Sequence, residues 1–274
     1  MTEDINKSKT LSASDAKLLA TLSEQGQNIF TAQMATEILN QPSAAVRKRL
    51  HRLTQKRWLQ RLEKGKYLIV PLSAGLDGHY TENELVIAAH LIEPYYITYR
   101  TALSFYGYTE QPSRSVYIAT PKRKSALTFH GLTYHFVTLP AHKFFGQSRV
   151  WIGEHAVMMA DREKTIVDGL DHPEHAGSII EVSKALWRGQ TELDFERLVD
   201  YSLRMQNRAI VKRLGFLLEC LDVGPPALRE PLQAHLSAGY AQLDTLSPKR
   251  GHHNARWRVL VNLPEDELLR WRET

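Results

Sequence analysis

The chain has 274 residues, enough for about two domains. Hydrophobic residues make up 43% and charged residues 24%, the balance of a folded globular protein rather than a disordered or collagen-like one. One cysteine, Cys220, excludes an intrachain disulfide and suits a reducing cytoplasm, and the net charge of +5 points toward a polyanionic partner.

The first eleven residues are polar and read as a tail, without the apolar core of a signal peptide. A helix follows over Ser14–Gln25, with Ala16, Leu18, Leu19 and Leu22 inward and Gly26 as its C-cap. Thr31 N-caps a second helix that carries Met34, Ala35, Ile38 and Leu39. Pro42 suits the first turn of a third helix, in which Val46, Leu50 and Leu53 form one apolar stripe. Two short strands, 58–62 and 66–70, are joined by Glu63-Lys64-Gly65 as a hairpin.

The charge is concentrated in this region. Residues 41–70 hold nine Lys or Arg and a single acid, Glu63, a local +8 in a chain of +5, so the remainder sums to −3. Helix, helix, basic helix and hairpin is the order of a winged helix-turn-helix, which presents cations to a DNA groove. On that reading Arg47, Lys48, His51 and Arg52 face the groove, and Ser43 touches phosphate at the helix start. Lys64 and Lys66 are the wing contacts. Arg47 carries the base-specific expectation, because a guanidinium reads guanine in bidentate fashion, whereas the lysines suit phosphate.

Domain boundaries follow from composition. The tail covers 1–11, the winged helix 12–71, a linker rich in Pro, Gly and Ser 72–81, and a second domain 82–274. The second domain mixes helices and strands, so the fold class is α+β with a helical late part. Helices are expected at 82–91, 99–106, 161–170, 179–187, 195–205 and 209–221, the last ended by Gly224-Pro225-Pro226. Strands are expected at 95–98, 115–120, 133–138, 149–152, 155–160 and 256–262. No apolar run approaches the ~20 residues needed to span a bilayer.

Three further constellations have chemical content. Asp161-Arg162-Glu163-Lys164 has the composition of a nuclease site, but it opens a helix, where acids simply complement the dipole. Asp171-His172-Pro173-Glu174-His175 offers metal donors, yet Pro173 intervenes and no second ligand cluster is evident, so no metal and no cofactor is expected. No phosphate-binding glycine loop and no nucleophile elbow is present, which argues against an enzyme. Finally, Arg204, Arg208 and Lys212 have i, i+4, i+8 spacing and would share one basic helix face, open to a partner or paired with nearby acids.

Taken in order, these segments resemble the AbiEi family of antitoxins from bacterial type IV toxin–antitoxin systems. Beyond the N-terminal segment, the resemblance is carried by Ile97–Gly107 (ITYRTALSFYG), Ser115–Thr120 (SVYIAT), Asp161–Pro173 (DREKTIVDGLDHP), Arg213–Glu219 and Trp257–Asn262. It covers roughly Ser12–Asn262. It implies a cytoplasmic autorepressor that binds its own promoter, at an inverted repeat in double-stranded DNA. It also implies an antitoxin that counteracts a co-encoded nucleotidyltransferase-like toxin without a stable complex. The alternative is a stand-alone winged-helix regulator whose second domain senses a ligand or partner.

Overall fold

The computed structural model describes residues 10–75 and 80–272, and these form two compact units that divide between Asn83 and Glu84. Residues 1–9 of the expected tail 1–11 and residues 76–79 of the expected linker lie outside the described residues, while Thr10 accepts the Lys56 ammonium and Leu11 packs on the core of unit 1. The chain is of mixed α+β class, with twelve α-helices and three sheets among the described residues.

Unit 1 runs α1 (Ala13–Glu24), β1 (Ile29–Thr31), α2 (Ala32–Leu39), α3 (Ser43–Gln55), β2 (Leu59–Glu63) and β3 (Lys66–Ile69). Ser12 starts α1 with a capping box, its hydroxyl accepting the Asp15 N–H while the Asp15 carboxylate accepts the Ser12 N–H. Asp15 is buried and Ala16 exposed, the reverse of the apolar expectation, because the carboxylate is needed inside as a charge partner. Thr31 caps α2 by accepting the Met34 N–H at 3.2 Å. Asn40 ends it in the left-handed region, which Asn tolerates better than most residues. Val46, Leu50 and Leu53 of α3 are fully buried against Leu18, Leu22, Phe30 and Tyr67.

The sheet of unit 1 is antiparallel in the order β1-β3-β2. Strand β1 escaped the sequence reading because three residues show no periodicity. It forms by pairing Ile29 with Leu68 across the sheet. Gly65 turns the β2–β3 hairpin at φ +79, a region open to glycine at no steric cost. A register shift between Arg61 and Glu63 bulges β2 near this turn.

Unit 2 begins with α4 (Glu84–Leu91), β4 (Tyr96–Ile97), α5 (Tyr99–Phe105), β5 (Ser115–Thr120), β6 (Leu127–Phe129), β7 (Leu132–Thr138), β8 (Gln147–Ile152) and β9 (His155–Ala160). Its strands build a six-stranded mixed sheet in the order β6-β7-β5-β4-β9-β8. Helices follow as α6 (Arg162–Asp171), α7 (Pro173–Ala176), α8 (Ile179–Arg188), α9 (Phe195–Arg204), α10 (Arg208–Leu221) and α11 (Arg229–Ala234). A small sheet of β10 (Ala241–Gln242), β11 (His252–Asn254) and β12 (Val259–Val261) and a last helix α12 (Glu265–Leu269) close the chain.

The core of unit 2 is centred on α6, whose residues from Glu163 to Asp171 are all buried. It packs against α5, α8, α9 and α10. Where α10 meets the small sheet, a Cβ on Gly215 would sit 2.1 Å from the Trp257 ring, so only glycine permits this approach.

Candidate nucleic-acid interface

Helix α3 has three faces. At 3.6 residues per turn, Val46, Leu50 and Leu53 take the inner one. Ser43, Arg47 and His51 share an outer face, and Lys48 lies beside it, all four exposed. Arg47 folds back on its own helix, donating Nε to the Ser43 carbonyl and Nη2 to the Ser43 hydroxyl, both at 3.3 Å. His51 Nε2 lies 3.0 Å from Gln55 Nε2.

This outer face and the hairpin enclose a recess of about 360 Å³, lined by Arg47, His51, Thr54, Arg61, Lys64 and Tyr67 together with Ala32 and Gly65. No acid is among its lining residues. Arg61 belongs to this group although the sequence reading named only Lys64 and Lys66 on the hairpin. Its signal was strand alternation: Arg61 is two residues past the core residue Leu59, so both lie on the same face of β2. Arg61 is also paired across the hairpin with Tyr67, which lines the same recess.

Two expected contacts are placed differently. Arg52 lies on the α1 side of α3, its Nη2 within 2.9 Å of the Asp15 carboxylate. Arg49 reaches the same carboxylate at 2.9 Å and the Ser14 hydroxyl as well. Burial pushes the Asp15 carboxyl upward, but hydrogen bonds from Ser12 and the charges of Arg52 and Arg49 outweigh it and hold the group below its ordinary value. Arg52 is thus a structural tie between α1 and α3 as much as a surface cation. Lys66 is likewise paired, with Glu63 at 3.1 Å across the turn. Lys64, at the tip, is exposed.

In unit 2 the expected stripe of Arg204, Arg208 and Lys212 is not a stripe. Arg204 ends α9 and Arg208 begins α10, with Met205–Asn207 breaking the helix between them. Asn207 caps α10 through the Ala209 N–H, a break that the i, i+4, i+8 count did not register. The Arg204 guanidinium lies 3.9 Å from the Phe145 ring centre. Lys212 is buried, its ammonium donating to the Ser237 hydroxyl and the Gly239 carbonyl. Only Arg208 of the three is a plain exposed cation on α10.

The Asp161–Lys164 segment is engaged internally. Asp161 caps α6 by accepting the Lys164 N–H at 2.7 Å and also accepts the Tyr201 hydroxyl. Glu163 accepts the Asp194 N–H. Lys164 is fully buried in an ion pair with Asp168, whose carboxylate also accepts the hydroxyls of Tyr96 and Thr98. One turn beyond α6, His172, Glu174 and His175 bring one donor atom each within 4.8 Å of the others.

No protein-family model matches the chain, and no curated protein matches it. Solved structures similar to it include the crystal structure of the RV2827C protein from Mycobacterium tuberculosis. That chain is 15% identical, with a TM-score of 0.69 over 97% of each chain. At this identity the likeness shows a shared fold across both units.

Proposed function

We propose that the chain is a DNA-binding transcriptional regulator of the AbiEi antitoxin type, with unit 1 as its winged helix-turn-helix. Helix α3 is the recognition helix and the β2–β3 hairpin is the wing. The reading is supported above all by the convergence of Arg47, His51, Arg61 and Lys64 on one recess between helix and hairpin, with no acid among the residues that line it. Two structural elements that approach the same groove from different sides deliver cations to one place, which suits a phosphate backbone. The protein acts in the cytoplasm without enzymatic chemistry, represses its own operon and counteracts a co-encoded nucleotidyltransferase-like toxin. The antitoxin half of the proposal rests on the family resemblance read in the sequence.

The test is binding of the full chain to duplex DNA from upstream of its own gene, followed by fluorescence anisotropy across a salt series. Each phosphate neutralised contributes about 0.9 to the log–log slope, so the cations Lys48, Arg61 and Lys64 predict a slope of about −2.7 for each chain bound. Affinity independent of salt would sink the proposal. Co-expression with the neighbouring gene product tests the antitoxin half.

A second reading, a stand-alone regulator whose unit 2 senses a ligand, is favoured by the His172–Glu174–His175 cluster and by an open pocket of about 550 Å³ lined by Glu93, Pro94, Tyr95, Lys122, Phe144, Gln147 and Met158. Gene context separates the two readings.

A further inference from the structure

Along the sequence, Pro173 argues against a shared ion between His172 and His175. In the fold it does the opposite. Pro173 opens the four-residue turn α7, which brings the two imidazoles into a stack with ring centres 5.3 Å apart. Glu174 lies beside them, its Oε1 3.0 Å from His172 Nδ1. One donor atom from each of the three residues lies within 4.8 Å of the others. Donors held at 2.0–2.1 Å around a tetrahedral ion are about 3.4 Å apart, so closing this set on a metal takes rotations that turn the stacked imidazoles until their in-plane nitrogen lone pairs converge.

Glu174 is also held from behind. The second Glu174 oxygen, Oε2, accepts the Thr245 hydroxyl at 2.7 Å, which leaves Oε1 to face His172. His172 Nε2 is 3.7 Å from Asp171 Oδ2, beyond hydrogen-bond length but near enough for a turn of the ring to bring the two together as a carboxylate–imidazole pair. Asp171 is fixed in turn by the Lys143 ammonium and the Asn207 amide, each at 2.6 Å. His175 packs edge-on to Tyr99 at 5.2 Å. Tyr99 is fully buried at φ +53, with a hydroxyl that has no protein hydrogen-bond partner. A bulky residue in that conformation is strained, and such strain collects at sites.

We propose that His172, Glu174 and His175 form a site for a divalent transition metal, with Asp171 and Thr245 as positioning residues. Two imidazoles and one carboxylate suit zinc, and leave a fourth position for water or an exogenous ligand. The site lies wholly in unit 2 and stands apart from the DNA-binding proposal.

The experiment uses the full chain, stripped with chelator. It is titrated with Zn²⁺ in competition with a chromophoric chelator, and with Co²⁺ followed by visible absorption. One ion per chain, with a tetrahedral Co²⁺ spectrum, is expected. His175→Ala and Glu174→Gln should each weaken binding at least tenfold. Thr245→Ala should weaken it about tenfold while leaving the stoichiometry at one, as an outer-shell partner does. Exposed His252 and His253 supply the control, and the double substitution to Ala should leave binding unchanged. Glu174→Gln keeps the side-chain shape, so it reports on the site even if His175→Ala fails to fold. No uptake by the wild-type chain, or uptake that survives Glu174→Gln but is lost with His252 and His253, overturns the proposal.

Discussion

Arg47→Ala and Arg52→Ala should separate binding from stability. The two residues are five apart on α3, so they point about 140° away from each other. Arg52 is held by Asp15, which is 3% exposed, while Arg52 itself is 50% exposed. Its removal leaves Arg49 on the same carboxylate, so the buried charge is not orphaned. With solvent screening on the exposed half of the pair, the loss is about 1 kcal/mol. In a unit of this size, that lowers the melting temperature by about 4–8 °C. Among the described residues, the exposed Arg47 guanidinium hydrogen-bonds only to Ser43 of its own helix, so Arg47→Ala should change stability by less than about 0.5 kcal/mol. Loss of a base contact costs about 1–3 kcal/mol, roughly five- to 150-fold in operator affinity. Thermal melts and anisotropy titrations on both variants, with matched and scrambled operators, provide the readout. If Arg52→Ala weakens binding more than Arg47→Ala and leaves the melt unchanged, the face of α3 assigned to DNA is the wrong one.

Lys64→Ala should weaken operator and scrambled DNA equally and reduce the salt slope by about 0.9, if the proposed wing lysine meets phosphate. A changed base preference would speak against that role. The Asp15 carboxyl is held below its unfolded value, so its contribution is complete above the ordinary carboxylate range and is lost as pH falls through the lowered folded value. Acid should therefore destabilise wild-type unit 1 more steeply than the Asp15→Asn variant below about pH 4, and parallel acid-melting curves would refute the tie. Gly215→Ala places a methyl group 2.1 Å from a fully buried Trp257, and overpacking of this kind costs about 1–3 kcal/mol or more. A melting temperature within one degree of wild type would contradict the packing of α10 on Trp257.

The residues of unit 1 that repeat with helical or strand period determined α1, α2, α3 and the hairpin, because local propensity, caps and burial agree there. Thr31, Val46, Leu50, Leu53 and Gly65 occupy the positions that their types demand. The same holds in unit 2 for β5 and β9, whose patterns are long enough to show a period, and for α6, which Asp161 caps. Elements of two or three residues, such as β1, β6 and β10, carry no period, and exist because a longer partner strand lies beside them.

The candidate site divides along the same line. The run of positive charge in residues 41–70 is a property of composition and was legible at once. Which cations are free was not, because that depends on where the few acids come to rest. Asp15, 37 residues from Arg52, ties up that guanidinium on the α1 side of α3. A three-residue break before Arg208 dissolves a basic stripe that helical spacing alone constructs, and turns Lys212 into a buried strut. Conversely, Thr245 lies 71 residues from Glu174, and only the tertiary fold sets its hydroxyl on that carboxylate. Sequence determines what a segment prefers to become. Long-range pairing of charges and hydrogen bonds, which has no period to read, decides which of its side chains remain available for a partner.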